Sequence, residues 1–150
     1  MQEDAPTQRL RQRGLRVTRP RLAVLAVLEE AAGRSEHVAV AEVAQRARTL
    51  LGSLSTQATY DCLGVLTAAG LVRRIELPGH PAQYEARVGD NHHHLVCRQC
   101  GETTDVDCLV GTAPCLTPAD DARFIVDEAE VTFWGRCAAC MAAGVSTATT

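Results

Sequence analysis

The sequence predicts an α+β fold in two parts, a winged helix-turn-helix followed by a small α/β domain. Three observations predict it. Residues 1–90 show helical spacing of apolar side chains and end in two strand-like runs. A breaker, Gly89-Asp90-Asn91, then interrupts the chain. After the breaker, arginine gives way to histidine and cysteine. We therefore expect domains at residues 1–89 and 90–140, followed by a flexible tail at 141–150.

Three or four helices are expected at the start of the first domain. Thr18 can cap a helix that holds Pro20 in its first turn, repeats leucines on one face and ends at Gly33. Residues 40–49 repeat the apolar spacing more weakly. Ser55 can cap a further helix, which ends before a glycine at position 70. Each helix therefore has its own start or stop signal.

The helix after Ser55 begins with a polar turn. In a helix-turn-helix protein, the N-terminal turn of the recognition helix meets base edges in the major groove. We therefore expect four side chains of this turn to face DNA: Thr56, Gln57, Thr59 and Tyr60. The alternative for Tyr60 is a buried amphipathic aromatic.

Strand-like runs complete both domains. Residues 71–77 and 82–88 flank a turn with two prolines and a glycine, which predicts the hairpin wing. In the second domain, residues 92–97, 103–108 and 126–134 predict a small sheet, accompanied by one or two helices.

Composition and charge limit the function classes. The chain has no basic-then-apolar leader and no apolar run near the roughly 20 residues that a membrane helix needs. We expect a cytoplasmic protein without a membrane partner. Residues 1–90 carry 12 Arg and 10 Asp or Glu, whereas residues 91–150 carry 3 Arg and 8 Asp or Glu. A net charge of −3 does not exclude DNA binding, because phosphate contacts depend on a local basic face.

Two CxxC pairs give the strongest chemical signal. Cys97 and Cys100 form one pair, Cys137 and Cys140 the other, and small or flexible residues follow each pair. Paired motifs of this kind are typical of tetrahedral zinc sites. The alternative is two unconnected turns that happen to contain cysteines. We predict a structural Zn²⁺ site with four thiolate ligands.

Histidines precede the first CxxC pair. If residues 92–97 form a strand, His92 and His94 share one face and His93 points away. Asp105 lies on the neighbouring predicted strand, and Glu85 ends the wing hairpin. A solvated polar loop is the alternative for three adjacent histidines, but their place beside a breaker and a CxxC pair favours a second metal site.

The chain resembles the ferric uptake regulator family over about residues 8–140. The resemblance is carried by three segments, LRVTRPR at 15–21, TYD through AAGLV at 59–72, and HHHLVCRQCG at 92–101. The sequences RVGDN at 87–91 and DVDC at 105–108 are most similar to the actinobacterial FurA and CatR branch, whose members repress catalase or catalase-peroxidase genes.

The resemblance implies a DNA-binding homodimer rather than an enzyme. It implies a winged-helix domain, an α/β dimerisation domain, and a structural zinc site at the four cysteines. It also implies a regulatory metal site, carried over to His37, Glu85, His92, His94 and Asp105. Three imidazoles and two carboxylates suit Fe²⁺ or Mn²⁺, with Zn²⁺ or Ni²⁺ as further possibilities.

On the DNA side, the resemblance assigns a role in the minor groove to Arg16 and a contact with thymine methyl groups to Tyr60. We add Arg19, in the same basic segment, to the expected DNA-binding residues. Many relatives have arginine after the tyrosine, whereas this chain has Asp61. We therefore expect a different base preference within a palindromic double-stranded operator.

Three further comparisons between this chain and the family bear on the expected metal sites. The loop between Glu85 and His92 is one residue longer than in peroxide-sensing relatives. A further metal site of some relatives needs a histidine where this chain has Ala129, so we expect that site to be absent and His93 to lie at the surface, unless His93 serves a degenerate version of it. An aspartate at position 105 accompanies peroxide sensors, which favours redox-responsive control over iron- or other metal-uptake control.

Two other function classes remain open. A thiol oxidoreductase would place its CxxC at a helix N-terminus, but the lead into Cys97 is strand-like. A zinc ribbon that binds RNA or protein would carry basic or aromatic residues near its cysteines, but this half is acidic. Of the remaining cysteines, Cys62 fits a buried small apolar residue, and Cys108 and Cys115 could form a reversible disulfide.

Overall fold

The computed structural model describes residues 4–77, 79–86, 92–108 and 114–144. The chain divides into two compact units, Met1–Val88 and Gly89–Thr150. Three sequence expectations, for Pro78, the 89–91 breaker and residues 145–150, lie outside the described residues. No helix among the described residues combines the length and apolarity needed to cross a membrane.

The first unit is a winged helix. Its elements are α1 (Ala5–Gln12), α2 (Arg19–Ala32), β1 (Val38–Ala39), α3 (Val40–Leu51), α4 (Thr56–Ala68), β2 (Arg73–Ile75) and β3 (Gln83–Glu85). The strands form one antiparallel sheet in the order β1-β3-β2. The hairpin predicted from the sequence is confirmed, with shorter strands. The described residues of this unit form four helices, within the three or four expected, but α1 was not located from the sequence because it buries only Leu10. Strand β1 was not predicted, because it is two residues long.

Helix α2 lies at the centre of the core of the first unit. Val24, Leu25 and Leu28 are at most 1% exposed, and the cluster around them includes Val43 of α3 and Leu63 of α4. Burial of aliphatic side chains from three helices supplies the main favourable contribution to folding here, since the unit has few aromatic residues. The core fixes the position of α4, whose opposite side is left exposed.

Side-chain caps fix the starts of two helices. Thr18 Oγ1 accepts the backbone N–H of Arg21 at 3.3 Å. Ser55 Oγ accepts the backbone N–H of Ala58 at 3.0 Å. Both caps satisfy donors that have no partner inside the helix. The cap positions predicted from the sequence are therefore confirmed.

Replacement of Ser55 by alanine is expected to lower the free energy of unfolding by about 1 kcal/mol, because an N–H in the first turn of α4 loses its acceptor. Urea titration of the whole protein, followed by circular dichroism, measures the effect. Ser53→Ala is the control, since Ser53 is exposed and precedes the cap by two positions. An equal loss in both variants would contradict the capping role.

The second unit is a three-stranded sheet with a short terminal helix. Its elements are β4 (His92–Cys97), β5 (Thr103–Asp107), β6 (Thr132–Gly135) and α5 (Ala138–Ala143). The order is β5-β4-β6, with β4 antiparallel to β5 and parallel to β6. The α+β fold class and the first two strands are confirmed.

Two boundaries in the second unit were predicted wrongly. The strand expected at 126–134 is regular only over Thr132–Gly135, because 127–130 is acidic and the N–H of Val131 donates to the His93 ring instead of a strand. The flexible tail expected from Met141 was also placed too early, since α5 continues through Ala143. Helix α5 therefore belongs to the ordered unit.

Candidate metal centres

The parallel pairing of β4 with β6 brings the two CxxC pairs together. Cys97 ends β4 opposite Gly135, two residues before Cys137. The turn after Cys100 is completed by Gly101, whose φ of 78° is a conformation that glycine adopts without strain. Arg98 reinforces the pairing, since its N–H donates to the Gly135 carbonyl at 2.8 Å and its guanidinium lies over the Trp134 ring.

The four sulfur atoms have the spacing of a tetrahedral thiolate site. One sulfur from each of Cys97, Cys100, Cys137 and Cys140 lies within 4.8 Å of all the others. Cys100 Sγ and Cys137 Sγ are 3.7 Å apart, too far for a disulfide. Four thiolates at ~2.3 Å from Zn²⁺ would stand about 3.8 Å from one another. The site therefore fits the zinc ion expected from the sequence.

The electrostatics of this cluster also favour a cation. Backbone N–H groups of Cys100 and Cys137 hold the pKa of the Cys97 thiol at about 6, so this sulfur is largely thiolate at neutral pH. The neighbouring Cys137 thiol and burial raise the pKa of Cys140 to about 12. The metal-free cluster therefore does not hold four thiolates at neutral pH. A bound divalent cation would stabilise all four sulfurs in the thiolate form.

A second set of donors lies on the face of β4 that carries alternate histidines. His92 Nε2 and His94 Nε2 are 3.6 Å and 3.5 Å from Asp105 Oδ1, and the three side chains are at most 4% exposed. The strand register brings them together, because His94 pairs with Asp105. The prediction that His92 and His94 share a face is confirmed, and the neighbouring strand brings Asp105 to that face.

Glu130 was missed by sequence reasoning. Its Oε1 lies 3.7 Å from Nδ1 of His94, the ring nitrogen that faces away from Asp105. Carboxylates in this position commonly orient a metal-binding imidazole and fix its tautomer. Glu130 lies in an irregular segment before β6, so no local pattern marks it in the sequence.

The first unit holds a buried histidine–carboxylate pair. His37 Nε2 is 2.8 Å from Glu85 Oε2, and the two side chains are 1% and 2% exposed. The β1–β3 register explains the contact, since Val38 pairs with Tyr84 and the next step outward places His37 opposite Glu85. Two of the five predicted regulatory ligands therefore meet within this unit, and the other three meet within the second.

His93 is not a surface residue, contrary to the sequence expectation. It is 5% exposed on the other face of β4, where its Nε2 lies 3.1 Å from Cys115 Sγ. Burial and the nearby Cys108 sulfur raise the pKa of the Cys115 thiol. The segment at 114–131 covers this face, which the sequence alone could not show.

The polar start of α4 is exposed with one exception. Thr56 and Gln57 are exposed and Tyr60 is 49% exposed, so Tyr60 is not the buried aromatic considered above. The assignment of Thr59 to this surface was wrong. Thr59 is 0% exposed, and its hydroxyl donates to the Ser55 carbonyl at 3.0 Å. A helix period places it on the core side, between Ser55 and Leu63.

The basic residues predicted to face DNA are exposed in the first unit. Arg16 and Arg19 both reach solvent at the start of α2. The Arg21 guanidinium donates to the Arg16 carbonyl at 2.8 Å, which holds the backbone before the helix. Gln57 Nε2 donates to Asp61 Oδ1 at 3.0 Å, so the acidic residue orients a neighbouring polar side chain of α4.

Comparison with known proteins gives a consistent result. The model of the Ferric uptake regulator family matches residues 12–109. The Transcriptional regulator FurA of Mycobacterium tuberculosis is 53% identical over 133 residues, which cover 89% of this chain and 88% of the relative. The Ferric uptake regulation protein 1 of Mycolicibacterium fortuitum is 56% identical over 128 residues, 85% of this chain and 77% of the relative. Among solved structures, the Vibrio cholerae ferric uptake regulator matches with a TM-score of 0.66 and 26% identity, covering 87% of this chain and 98% of the other.

Proposed function

Because the chain belongs to the ferric uptake regulator family, we propose that it is a cytoplasmic, peroxide-responsive repressor of catalase or catalase-peroxidase genes. The coarser activity follows from the family itself: the chain is a metal-responsive transcriptional regulator and not an enzyme. The observation that carries metal sensing is the pair of buried imidazole–carboxylate sets, because buried donors of this kind are suited to a sensing metal. The aspartate at position 105, which the family resemblance links to peroxide sensors, supports the response to peroxide.

We propose that His37, Glu85, His92, His94 and Asp105 are the regulatory ligands. The set offers nitrogen and oxygen donors without sulfur, which suits Fe²⁺ or Mn²⁺, while Zn²⁺ and Ni²⁺ compete by affinity. A metal that bound the donors of both units would couple them. It would favour the DNA-binding state only by its difference in affinity for the two states. The support lies in the donor chemistry and in the distances within each unit.

The four-cysteine cluster is proposed to hold a structural Zn²⁺. Its sulfur spacing and its depressed Cys97 pKa match what a tetrahedral thiolate site requires. A zinc ion there would join the end of β4 to the start of α5. Because the described residues of the second unit form a small sheet with few buried apolar side chains, we expect the ion to contribute much of the stability of this unit.

The second unit is proposed to form a homodimer. Most large apolar side chains that are exposed among the described residues lie in it, including Phe124, Ile125 and Phe133 at 74%, 98% and 48%. Leu95 is 48% exposed and pairs with Phe133 across β4 and β6, so the two extend one apolar surface. Exposed apolar clusters of this kind are typical of protein–protein interfaces.

The DNA-binding role predicts different effects for two exposed residues. Arg16→Ala is expected to weaken binding to all sequences and to reduce the salt slope by about 1, because it removes a phosphate or minor-groove contact. Replacement of one thymine in the operator is expected to weaken the binding free energy of the wild type by roughly 1–3 kcal/mol. Tyr60→Ala is expected to bind the original and the altered duplex equally well.

Fluorescence anisotropy with a two-fold-related AT-rich duplex, at several salt concentrations and with or without Mn²⁺, measures both effects. Arg123→Ala is the control, since it removes an exposed arginine of the second unit. Binding that needs no metal, or unchanged binding in both first-unit variants, would contradict a metal-dependent repressor that reads DNA through this surface.

Control of iron uptake is the second candidate function. The observation in its favour is that several relatives, including one that is 56% identical, carry the name ferric uptake regulation protein. The two functions differ in the response to peroxide. Loss of DNA binding after peroxide treatment favours the peroxide-responsive repressor. DNA binding that survives peroxide and depends only on iron favours control of iron uptake.

A further inference from the structure

A third cluster of metal-binding side chains lies in the second unit. It consists of His93, Cys108 and Cys115, whose ligand atoms all lie within 4.8 Å of one another. His93 is 5% exposed, and both cysteines are partly buried and outside any disulfide. Strand alternation places His93 on the face of β4 opposite to His92 and His94, so the cluster is separate from the histidine–carboxylate set.

The protein holds this cluster with backbone groups. The N–H of Val131 donates to His93 Nδ1 at 3.2 Å, and Cys115 Sγ lies 3.9 Å from the Ala129 carbonyl. Ala129 itself offers no side-chain ligand. Cys115 therefore supplies one sulfur from the segment before β6, and Cys108 supplies a second sulfur directly after β5.

We propose that His93, Cys108 and Cys115 form a further metal site that takes Zn²⁺. Two sulfurs and one imidazole are a soft donor set, which excludes the oxygen-preferring cations Mg²⁺ and Ca²⁺ and favours zinc. Three protein ligands leave a fourth tetrahedral position for water or another ligand. The site is independent of the regulatory function proposed above.

The tautomer of His93 provides a specific signature. In the metal-free arrangement Nδ1 accepts the Val131 N–H, so Nε2 of the neutral ring carries the proton and faces Cys115. Binding of a metal at Nε2 requires the proton on Nδ1, and the Val131 hydrogen bond is then lost. The free energy of one backbone hydrogen bond is small compared with the binding free energy of zinc to two thiolates. The tautomer that binds the metal is therefore favoured when zinc is present.

Zinc counting tests the site. The reduced wild-type protein is loaded with Zn²⁺ under anaerobic conditions, passed through a mild chelating resin and analysed for metal per chain. Cys108→Ser and Cys115→Ser are each expected to retain one equivalent fewer than the wild type. Cys62→Ala, which removes the buried thiol of α4, is the control and is expected to retain the wild-type number. Circular dichroism of each variant confirms that the fold is retained.

Nitrogen-15 NMR of the histidine rings gives a second measurement on the unmodified chain. Zinc loading is expected to move the His93 proton from Nε2 to Nδ1 and to shift the Val131 amide. Retention of the wild-type zinc count in both cysteine variants, together with an unchanged His93 tautomer, would overturn the proposal. A Cys108–Cys115 disulfide in zinc-loaded protein after exposure to air would also overturn it, because zinc-bound sulfurs are protected.

Discussion

Replacement of Cys97 by serine is expected to remove one bound zinc ion per chain and to abolish the dimer. Cys97 is the thiolate of the cluster, since backbone N–H groups hold its pKa at about 6. Structural zinc sites have apparent binding free energies of roughly 10–16 kcal/mol, and most of this is also folding free energy. That amount is comparable with the whole stability of an ordinary domain, about 5–15 kcal/mol.

The loss of structure in the Cys97→Ser protein should be confined to the second unit. The core of the first unit uses helices α2, α3 and α4 and includes none of the four cysteines. The Cys97→Ser protein is therefore expected to keep most of its helical circular dichroism while it becomes monomeric or aggregates. Metal analysis measures the zinc content per chain, and light scattering measures the oligomeric state. Cys62→Ala is the control. A Cys97→Ser protein with the wild-type zinc content and a normal dimer would show that the four-thiolate assignment is wrong.

Features that depend on neighbouring residues could be predicted from the sequence. Thr18 and Ser55 precede their helices by one position, so the caps are visible in the sequence and the structure confirms them. The two CxxC pairs are likewise local. Helix α1 follows Asp4 and holds Pro6 in its first turn, but the Asp4 side chain makes no capping hydrogen bond and the helix buries only Leu10, so it lacked the apolar spacing by which the other helices were recognised.

Features that depend on contacts between distant segments could not be predicted. His93 was expected at the surface because Ala129 replaces the histidine of a further metal site, yet residues at 114–131 cover it and supply both the Val131 donor and the Cys115 sulfur. Glu130 reaches His94 from the same irregular segment. The prediction for Thr59 failed for a different reason. Threonine is polar and fitted an exposed surface, but its position on α4 directs its side chain toward the core.

Oxidation of a histidine by peroxide is the second large effect that we expect. With ferrous iron bound, the proposed regulatory site would activate peroxide beside its imidazole ligands. In the net reaction, a ring C–H of His37 or His92 would become C–OH and the second peroxide oxygen would leave as water, so the imidazole is the two-electron reductant and the iron supplies no net electrons. His92 and His94 are buried around Asp105, so few other groups compete for the oxidant. An oxidised imidazole binds metal poorly, and the repressor should then lose DNA.

Mass spectrometry of peptides tests this expectation. The protein is loaded anaerobically with Fe²⁺, treated briefly with peroxide and digested, and Mn²⁺-loaded protein serves as the matched control. We expect one added oxygen on His37 or His92 in the iron sample alone, with loss of DNA binding in the same sample. Asp105→Glu is expected to keep metal-dependent binding, because the carboxylate donor is retained, and to oxidise less, because the family resemblance links an aspartate at this position to peroxide sensing.

The competing mechanism places oxidation on sulfur, and the structure offers two sets of thiols for it. Cys108 and Cys115 form one, and the four-cysteine cluster forms the other. Without a metal at His93, Cys108 and Cys115, burial raises the pKa of the Cys115 thiol, and a protonated thiol reacts slowly with peroxide. Zinc would protect the four-cysteine set. Histidine should therefore react first. A disulfide in the treated protein with every histidine unmodified would refute the iron mechanism and would place the peroxide response on the cysteines.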